Sequence, residues 1–298
     1  MSPSRSNISA KAEAQRKIAE QRAAEKRRQR QLWLAGTAIG LVVVLFAVLI
    51  IVKAAGGGSK PAASAPVKTN AQTTSQVVAD VTAVPATTLS TVGSGGISSP
   101  TIPTKDAPAL TSGGKPEILY MGAEYCPYCA AERWPLVVAL SRFGTFTGLG
   151  LTASSSSDVY PSTNTFTFLK ATYTSQYLAF DSVELQDVNH ATLQTPTAAE
   201  QQLLNTYDAA PYTTSAGSIP FIDFGNKYIL SGASYNPQTL AGLNWTTIAS
   251  DLADSSSAVA KNIDGTANRL TAAICKMTGD QPSSVCSAPS ITSLEAGL

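Results

Sequence analysis

Cys126 and Cys129 lie three positions apart in the sequence Cys-Pro-Tyr-Cys. Two cysteines at this spacing can form a redox pair, half of a zinc site or a structural disulfide. A zinc site needs two further ligands, but the chain has a single histidine, His190, and its other cysteines, Cys275 and Cys286, lack the spacing of a zinc knuckle. A structural disulfide across two residues closes a very short loop and gains little from chain entropy. The pattern therefore favours a redox pair, with the other two kinds of site as alternatives.

Disulfide exchange needs one thiol that ionises near neutral pH, because the thiolate is the nucleophile. The apolar run at residues 116–121 predicts a buried strand, and the residues from Pro127 onward predict a helix. Pro127 suits the first helical position, followed by Tyr128, so Cys126 would face the unpaired N–H groups and the positive dipole end of the helix. Cys129 would lie one turn inside. The pattern predicts that Cys126 attacks a substrate and that Cys129 resolves the mixed disulfide.

Residues 32–52 form a run of 21 residues without a charge, which as a helix would cross a hydrocarbon core of about 30 Å. Basic residues cluster directly before this run, at 26–30, so the positive-inside rule places residues 1–31 in the cytoplasm as a basic tail. The remainder of the chain, with all four cysteines, would then lie outside the cytoplasmic membrane. A cleaved signal peptide is the competing interpretation, although its apolar core would be shorter.

Residues 53–114 are dominated by Ala, Gly, Ser, Thr and Pro, a composition that buries too little apolar surface to offset ordering entropy. We expect a flexible linker there, with one short ordered stretch near residues 77–89. From residue 115 to residue 298 the pattern is that of a folded domain long enough for a sizeable core.

Ile219 and Pro220 directly precede a predicted β-hairpin at residues 221–230, whose strands flank a Gly-Asn turn. The order of strand, Cys-x-x-Cys at a helix start, Ile-Pro, hairpin and final helix resembles the thioredoxin superfamily. The resemblance implies an α/β fold with a thioredoxin-like mixed sheet flanked by helices. The long segment 144–214 would be an insertion between the active-site helix and the hairpin. The resemblance also implies a cis Ile219–Pro220 bond, with Pro220 against the active-site disulfide and the Ile219 backbone pairing with substrate.

The stretch GAEYCPYCAAERWPL at residues 122–136, together with the anchored layout, resembles a prokaryotic thioredoxin-like family catalogued as domain of unknown function 929. This resemblance covers about residues 115–290 and names no substrate. The chain departs from thioredoxins at Tyr120, where they carry a buried aspartate. Glu124 and Glu132 are the acids nearest in sequence, so they are candidates for a proton relay to Cys129, with water as the alternative.

Cys275 and Cys286 follow a predicted C-terminal helix, with Gly279 and Pro282 between them. Their proximity favours a structural disulfide that pins the chain end and contributes roughly 2–3 kcal/mol by constraining the loop. A second redox pair that relays electrons to Cys126 and Cys129 is the alternative.

These patterns together predict a membrane-tethered, extracytoplasmic thiol–disulfide oxidoreductase. It would act on protein thiols and disulfides, exchange electrons with a redox partner protein and contact the lipid bilayer through residues 32–52. We expect no cofactor, no metal and no nucleic-acid partner, since the rest of the chain lacks clustered basic residues. The alternative is a non-enzymatic binding or scaffold module at the cell surface whose Cys126–Cys129 pair is structural.

Overall fold

A mixed β-sheet flanked by helices forms the centre of the fold, as the sequence predicted. The computed structural model describes residues 70–105 and 107–298. The strands are β1 (Ile102–Pro103), β2 (Thr111–Ser112), β3 (Lys115–Gly122), β4 (Gly144–Thr147), β5 (Gly150–Ala153), β6 (Asn164–Thr167), β7 (Thr172–Ser175), β8 (Ala179–Glu184), β9 (Phe221–Phe224) and β10 (Tyr228–Ser231). The α-helices are α1 (Ala71–Thr82), α2 (Ala86–Val92), α3 (Pro127–Ser141), α4 (Ala198–Tyr207), α5 (Trp245–Asp251), α6 (Ala258–Thr278), α7 (Ser283–Cys286) and α8 (Pro289–Glu295), and a short 3₁₀ helix spans Pro237–Leu240.

Strand β3 lies in the middle of the sheet. It pairs in parallel with β8 on one side and antiparallel with β9 on the other, and β10 and β1 continue the sheet beyond β9. Its apolar run is buried on both faces: Ile118 and Tyr120 belong to one hydrophobic cluster, and Leu119 and Met121 to another. A continuous apolar run is the pattern expected of a strand covered on both sides. This position places the end of β3, and the cysteine that follows it, inside the domain.

The predicted hairpin is formed by β9 and β10. Gly225 and Asn226, the turn residues, both have positive φ angles, +68° and +54°, as a tight hairpin turn requires. Residues 144–214 contain, besides β8 and α4, two small antiparallel sheets, β4–β7 and β5–β6. Helix α3 holds the second of these through two hydrogen bonds: Trp134 Nε1 donates to Asn164 O at 2.9 Å, and Thr165 Oγ1 donates to Ala130 O at 2.7 Å. The loop at 154–163 is thereby fixed relative to the start of α3.

Helices α1 and α2 occupy part of the segment predicted to be a linker, and they extend the short ordered stretch that was expected near residues 77–89. Val77, Val81 and Leu89 are buried in the main hydrophobic cluster, and the Asn268 amide of α6 donates to Leu89 O. Val77 and Val81 are four residues apart and so share one helix face, which is enough to pack although the composition is poor in large apolar residues. The folded unit therefore includes α1 and α2 and does not begin at residue 115. The prediction of a linker at 53–69 lies outside the described residues.

Residues 1–31 and 32–52, the predicted tail and membrane span, also lie outside the described residues. Within the described ranges, the structure contains no helix whose length and apolar character would let it cross a membrane.

Candidate active site

Cys126 is the N-cap residue of α3, four residues after β3 ends at Gly122. Its Sγ accepts a hydrogen bond from the Cys129 backbone N–H at 3.2 Å, so the sulfur caps one of the amides that a helix start leaves unpaired. Pro127 occupies the first helical position, where its missing N–H costs no hydrogen bond. The local arrangement of these residues is the one that the sequence predicted.

The two thiols are free and differ in their surroundings. The Cys126 side chain keeps a small exposed fraction, 5%, whereas Cys129 is fully buried. The hydrogen bond with the Cys129 thiol lowers the pKa of Cys126 below the ordinary thiol value, against the opposing effect of burial, and the Cys129 backbone N–H adds to the lowering. Burial raises the pKa of Cys129 well above that value. Cys126 is therefore the thiol that ionises first and that can be reached from solvent.

Ile219 and Pro220 lie beside the cysteines. The Ile219–Pro220 peptide bond is cis, as predicted, and the Cys126 thiol donates to the Ile219 carbonyl at 3.7 Å. Ile219 also packs against the small cluster of buried side chains that contains both cysteines. The structure thus brings together the two sequence motifs that lie more than ninety residues apart.

An ion pair that the sequence did not predict lies behind Cys129. Arg133 follows Cys129 by four residues, one helical turn, and is fully buried together with Glu184 at the end of β8. The Arg133 guanidinium binds both carboxylate oxygens of Glu184, Nε to Oε1 at 3.1 Å and Nη2 to Oε2 at 2.6 Å. Its central carbon lies 5.6 Å from the centre of the Tyr120 ring. Besides the hydrogen bonds and burial described above, the Arg133 charge also lowers the pKa of both cysteines.

The Arg133–Glu184 pair could have been suspected from composition. Arg133 is a charged residue in a helix whose neighbouring residues are almost all apolar, and a fully buried arginine needs an acidic partner. Nothing in the sequence singles out Glu184 as that partner, since it is 51 residues away.

Glu132 and Glu124, the predicted candidates for a proton relay, make other contacts than with the thiols. Both Glu132 carboxylate oxygens accept hydrogen bonds from Ser234, from its N–H at 2.8 Å and from its hydroxyl at 2.9 Å. Burial raises the pKa of Glu132 to about 7. Glu124 is half-buried, and its backbone N–H donates to Gln186 O at 2.8 Å. Within the described residues, no hydrogen bond joins either carboxylate to a cysteine, so the structure does not bring this part of the predicted site together.

Cys275 and Cys286 form a disulfide, as their proximity predicted, and both are buried. The bond lies at the far end of the sheet from Cys126. Met277, two residues after Cys275, contacts Gly225. The Gly225 N–H donates to Glu117 O, near the start of β3. Cys126, in contrast, follows the end of β3. The two cysteine pairs therefore lie towards opposite ends of β3. This arrangement favours a structural disulfide over a second redox pair that relays electrons directly to Cys126.

Comparison with known proteins gives one match. A family model described as "Domain of unknown function (DUF929)" matches residues 105–276. No curated protein and no solved structure matches the chain. The matched residues include Cys126, Cys129, the Arg133–Glu184 pair and Ile219–Pro220, but not helices α1 and α2.

Proposed function

We propose that this chain, which belongs to the DUF929 family, is a thiol–disulfide oxidoreductase that exchanges disulfides with protein thiols through Cys126 and Cys129. The observation that carries the proposal is the asymmetry of the two thiols. Cys126 caps α3 and has a lowered pKa, while Cys129 is fully buried with a raised pKa. Such a pair suits an attacking and a resolving thiol.

A thioredoxin-like fold is part of the proposal. In the chain order β3, α3, β8, α4, β9, β10, α6, the central strand β3 is followed by the helix that starts at the cysteines. Strand β3 has a parallel neighbour on one side and an antiparallel hairpin on the other. This order agrees with the pattern that the resemblance to the thioredoxin superfamily implies. The Ile219 carbonyl within reach of Cys126 Sγ supports the assignment of Ile219 and Pro220 to substrate contact.

The reaction proceeds in two exchanges. The Cys126 thiolate attacks one sulfur of a substrate disulfide, so the substrate S–S bond breaks, a mixed disulfide forms and the other substrate sulfur leaves and takes up a proton. Cys129 then gives up its proton and attacks Cys126 Sγ, which releases the second substrate sulfur as a thiol. The substrate gains two electrons, which the protein gives up as its Cys126–Cys129 disulfide forms. A dithiol redox partner protein returns the pair to the reduced state, and the reverse sequence oxidises a substrate dithiol.

The proposed location rests on the sequence. The apolar run at 32–52, preceded by the basic tail, supports a single-pass anchor with the cysteines on the outer side of the membrane. In that compartment disulfides persist in proteins, so substrates with disulfides are available.

The rate of alkylation across pH tests the proposal against a scaffold with a structural cysteine pair. In the reduced protein, we expect the rate at which Cys126 reacts with iodoacetamide to rise with pH, because only the thiolate reacts. The midpoint of that rise should lie below pH 8.5, roughly the pKa of a free thiol. Cys129 should stay unmodified over the same range because burial disfavours its thiolate. Peptide mass analysis separates the two sites, and a Cys126→Ser variant reports on Cys129 alone. Equal rates at both cysteines, or a Cys126 midpoint above the free-thiol value, would contradict the assigned roles.

A further inference from the structure

Two loops pack on the residues that directly precede Cys126. The Ser155 N–H, in the loop at 154–163 between β5 and β6, donates to Tyr125 O at 2.9 Å. The His190 ring, in the loop at 186–192 after β8, lies 4.0 Å from the Tyr125 ring, centre to centre. These contacts place both loops next to the attacking thiol.

A cleft of about 490 Å³ opens between these loops. It is lined by residues 153–157 and 188–190, which supply serine hydroxyls, an asparagine amide and the imidazole of His190. Of these serines, Ser154 and Ser155 are buried, whereas Ser156 and Ser157 are exposed. The lining offers hydrogen-bond donors and acceptors and contains no lysine or arginine.

Two exposed apolar side chains lie close to Cys126, one in the first turn of α3 and one on the loop at 154–163. In the part of the chain that the structure describes, the large apolar side chains that stand exposed are Tyr128 and Val159, with exposed fractions of 41% and 64%. Tyr128 follows Cys126 by two residues and packs its ring edge-on against Tyr160, the neighbour of Val159, at 5.8 Å. These apolar groups stay exposed close to the reactive Cys126. A polypeptide can cover them with its own side chains.

The charge around Cys126 is negative. Glu124, Asp158 and Asp187 carry carboxylates on the residues before Cys126 and on the two loops, and residues 122–128, 153–163, 186–194 and 217–220 contain no lysine or arginine. The nearest cation in sequence, Arg133, is buried and paired with Glu184. A surface of this charge attracts cations and repels anions over about a Debye length, roughly 8–10 Å at physiological salt.

We propose that the cleft at 153–157 and 188–190, together with Tyr128 and Val159, binds an extended polypeptide segment that flanks the substrate disulfide and is uncharged or cationic. Small anionic disulfides such as glutathione disulfide, which bears more carboxylates than amines and little apolar surface, are poor substrates. This inference rests on the proposed function and adds its substrate class.

Two synthetic peptide disulfides test it, identical except that lysines flank the cystine in one and aspartates in the other. The reduced full-length protein in detergent is mixed with each, and the second-order rate of reduction is measured. We expect the lysine peptide to react about tenfold faster at low salt and the ratio to shrink towards one as the salt rises to about 1 M. Asp158→Asn should lower the ratio about threefold, since it removes one charge of the surface. Asp280→Asn, at the far end of the sheet and at a positive φ that asparagine tolerates, is the matched control and should leave the ratio unchanged.

Dithiodipyridine, an uncharged small disulfide, separates the two levels of the proposal. Suppose that the protein reduces dithiodipyridine but reduces the two peptides at equal rates, or reduces glutathione disulfide faster than either peptide. Either result would overturn the substrate class and leave the proposed oxidoreductase activity intact. Failure to reduce dithiodipyridine and both peptides would instead overturn the proposed function itself.

Discussion

Replacing Cys126 by serine is expected to lower the rate of disulfide exchange by a factor on the order of a thousand or more, because a serine hydroxyl does not ionise near neutral pH and cannot form a mixed disulfide. Cys129→Ser should preserve the first exchange, since the backbone N–H at that position, which the substitution retains, still reaches Cys126 Sγ. That variant should therefore accumulate a mixed disulfide between Cys126 and the substrate. Reduction of a peptide disulfide, followed by mass analysis without reductant, measures both effects.

The two cysteine variants also test the order of attack. Accumulation of a mixed disulfide through Cys129 in the Cys126→Ser protein would reverse the assigned roles. Wild-type exchange rates in the Cys126→Ser protein would show that the pair is not the site of reaction. Cys275→Ser combined with Cys286→Ser is the matched control for loss of cysteines: it should lower stability but leave the exchange rate per folded molecule unchanged, because that disulfide lies far from Cys126.

Glu184→Gln is expected to lower the free energy of unfolding by about 3–5 kcal/mol, because it leaves the buried Arg133 charge without a counter-charge. The glutamine keeps the volume of Glu184 and an oxygen that can accept from the Phe168 N–H, which donates to Glu184 Oε1 at 3.0 Å. The loss should therefore report the charge rather than a cavity. Denaturant unfolding monitored by fluorescence gives the free energy of unfolding. The slope of that free energy against denaturant concentration is compared between the variants.

The control for this prediction is the same substitution in a more exposed pair. Glu295 binds Lys276 at 3.2 Å, and the Lys276 side chain is 42% exposed, so Glu295→Gln should cost about 1 kcal/mol or less. A double variant, Arg133→Met with Glu184→Leu, should recover much of the stability lost in Glu184→Gln, because a buried ion pair can be replaced by packed apolar side chains. A loss below about 1 kcal/mol in Glu184→Gln would mean that the pair is not buried as described.

The parts of the site that depend on neighbouring residues could be predicted from the sequence. Cys126, Pro127 and Cys129 lie within one turn of each other, so helix-start chemistry alone places Cys126 at the cap. The turn at Gly225 and Asn226 is equally local, because both residues tolerate positive φ. The contact of Ile219 with Cys126 is not local, and it was expected only through the resemblance to a known fold.

The parts that depend on tertiary packing could not be predicted. Arg133 finds Glu184 because β8 lies beside β3 in the sheet, and nothing in the spacing of these two residues indicates it. Glu132 is close to Cys129 in sequence, but its carboxylate turns to Ser234 after β10 instead. The full extent of helix α1 could not be predicted for a related reason: the sequence indicated order only near residues 77–89, whereas α1 begins at Ala71. Its burial comes from Val77 and Val81 against α3 and α5, and an average over an Ala- and Thr-rich segment does not reveal two well-placed valines.

A redox titration of the Cys126–Cys129 pair tests the central claim most directly. The protein is equilibrated in glutathione buffers of increasing ratio of reduced to oxidised form, and in dithiothreitol buffers beyond them, and the fraction of Cys126–Cys129 disulfide is measured by mass after acid quenching. We predict one reversible two-electron transition with a midpoint between about −120 and −270 mV, the range of catalytic pairs, while Cys275–Cys286 stays oxidised as the internal reference. A Cys126–Cys129 disulfide whose midpoint potential lies below about −300 mV would contradict the assignment of this pair as a redox centre, and so would a disulfide that forms in none of the buffers.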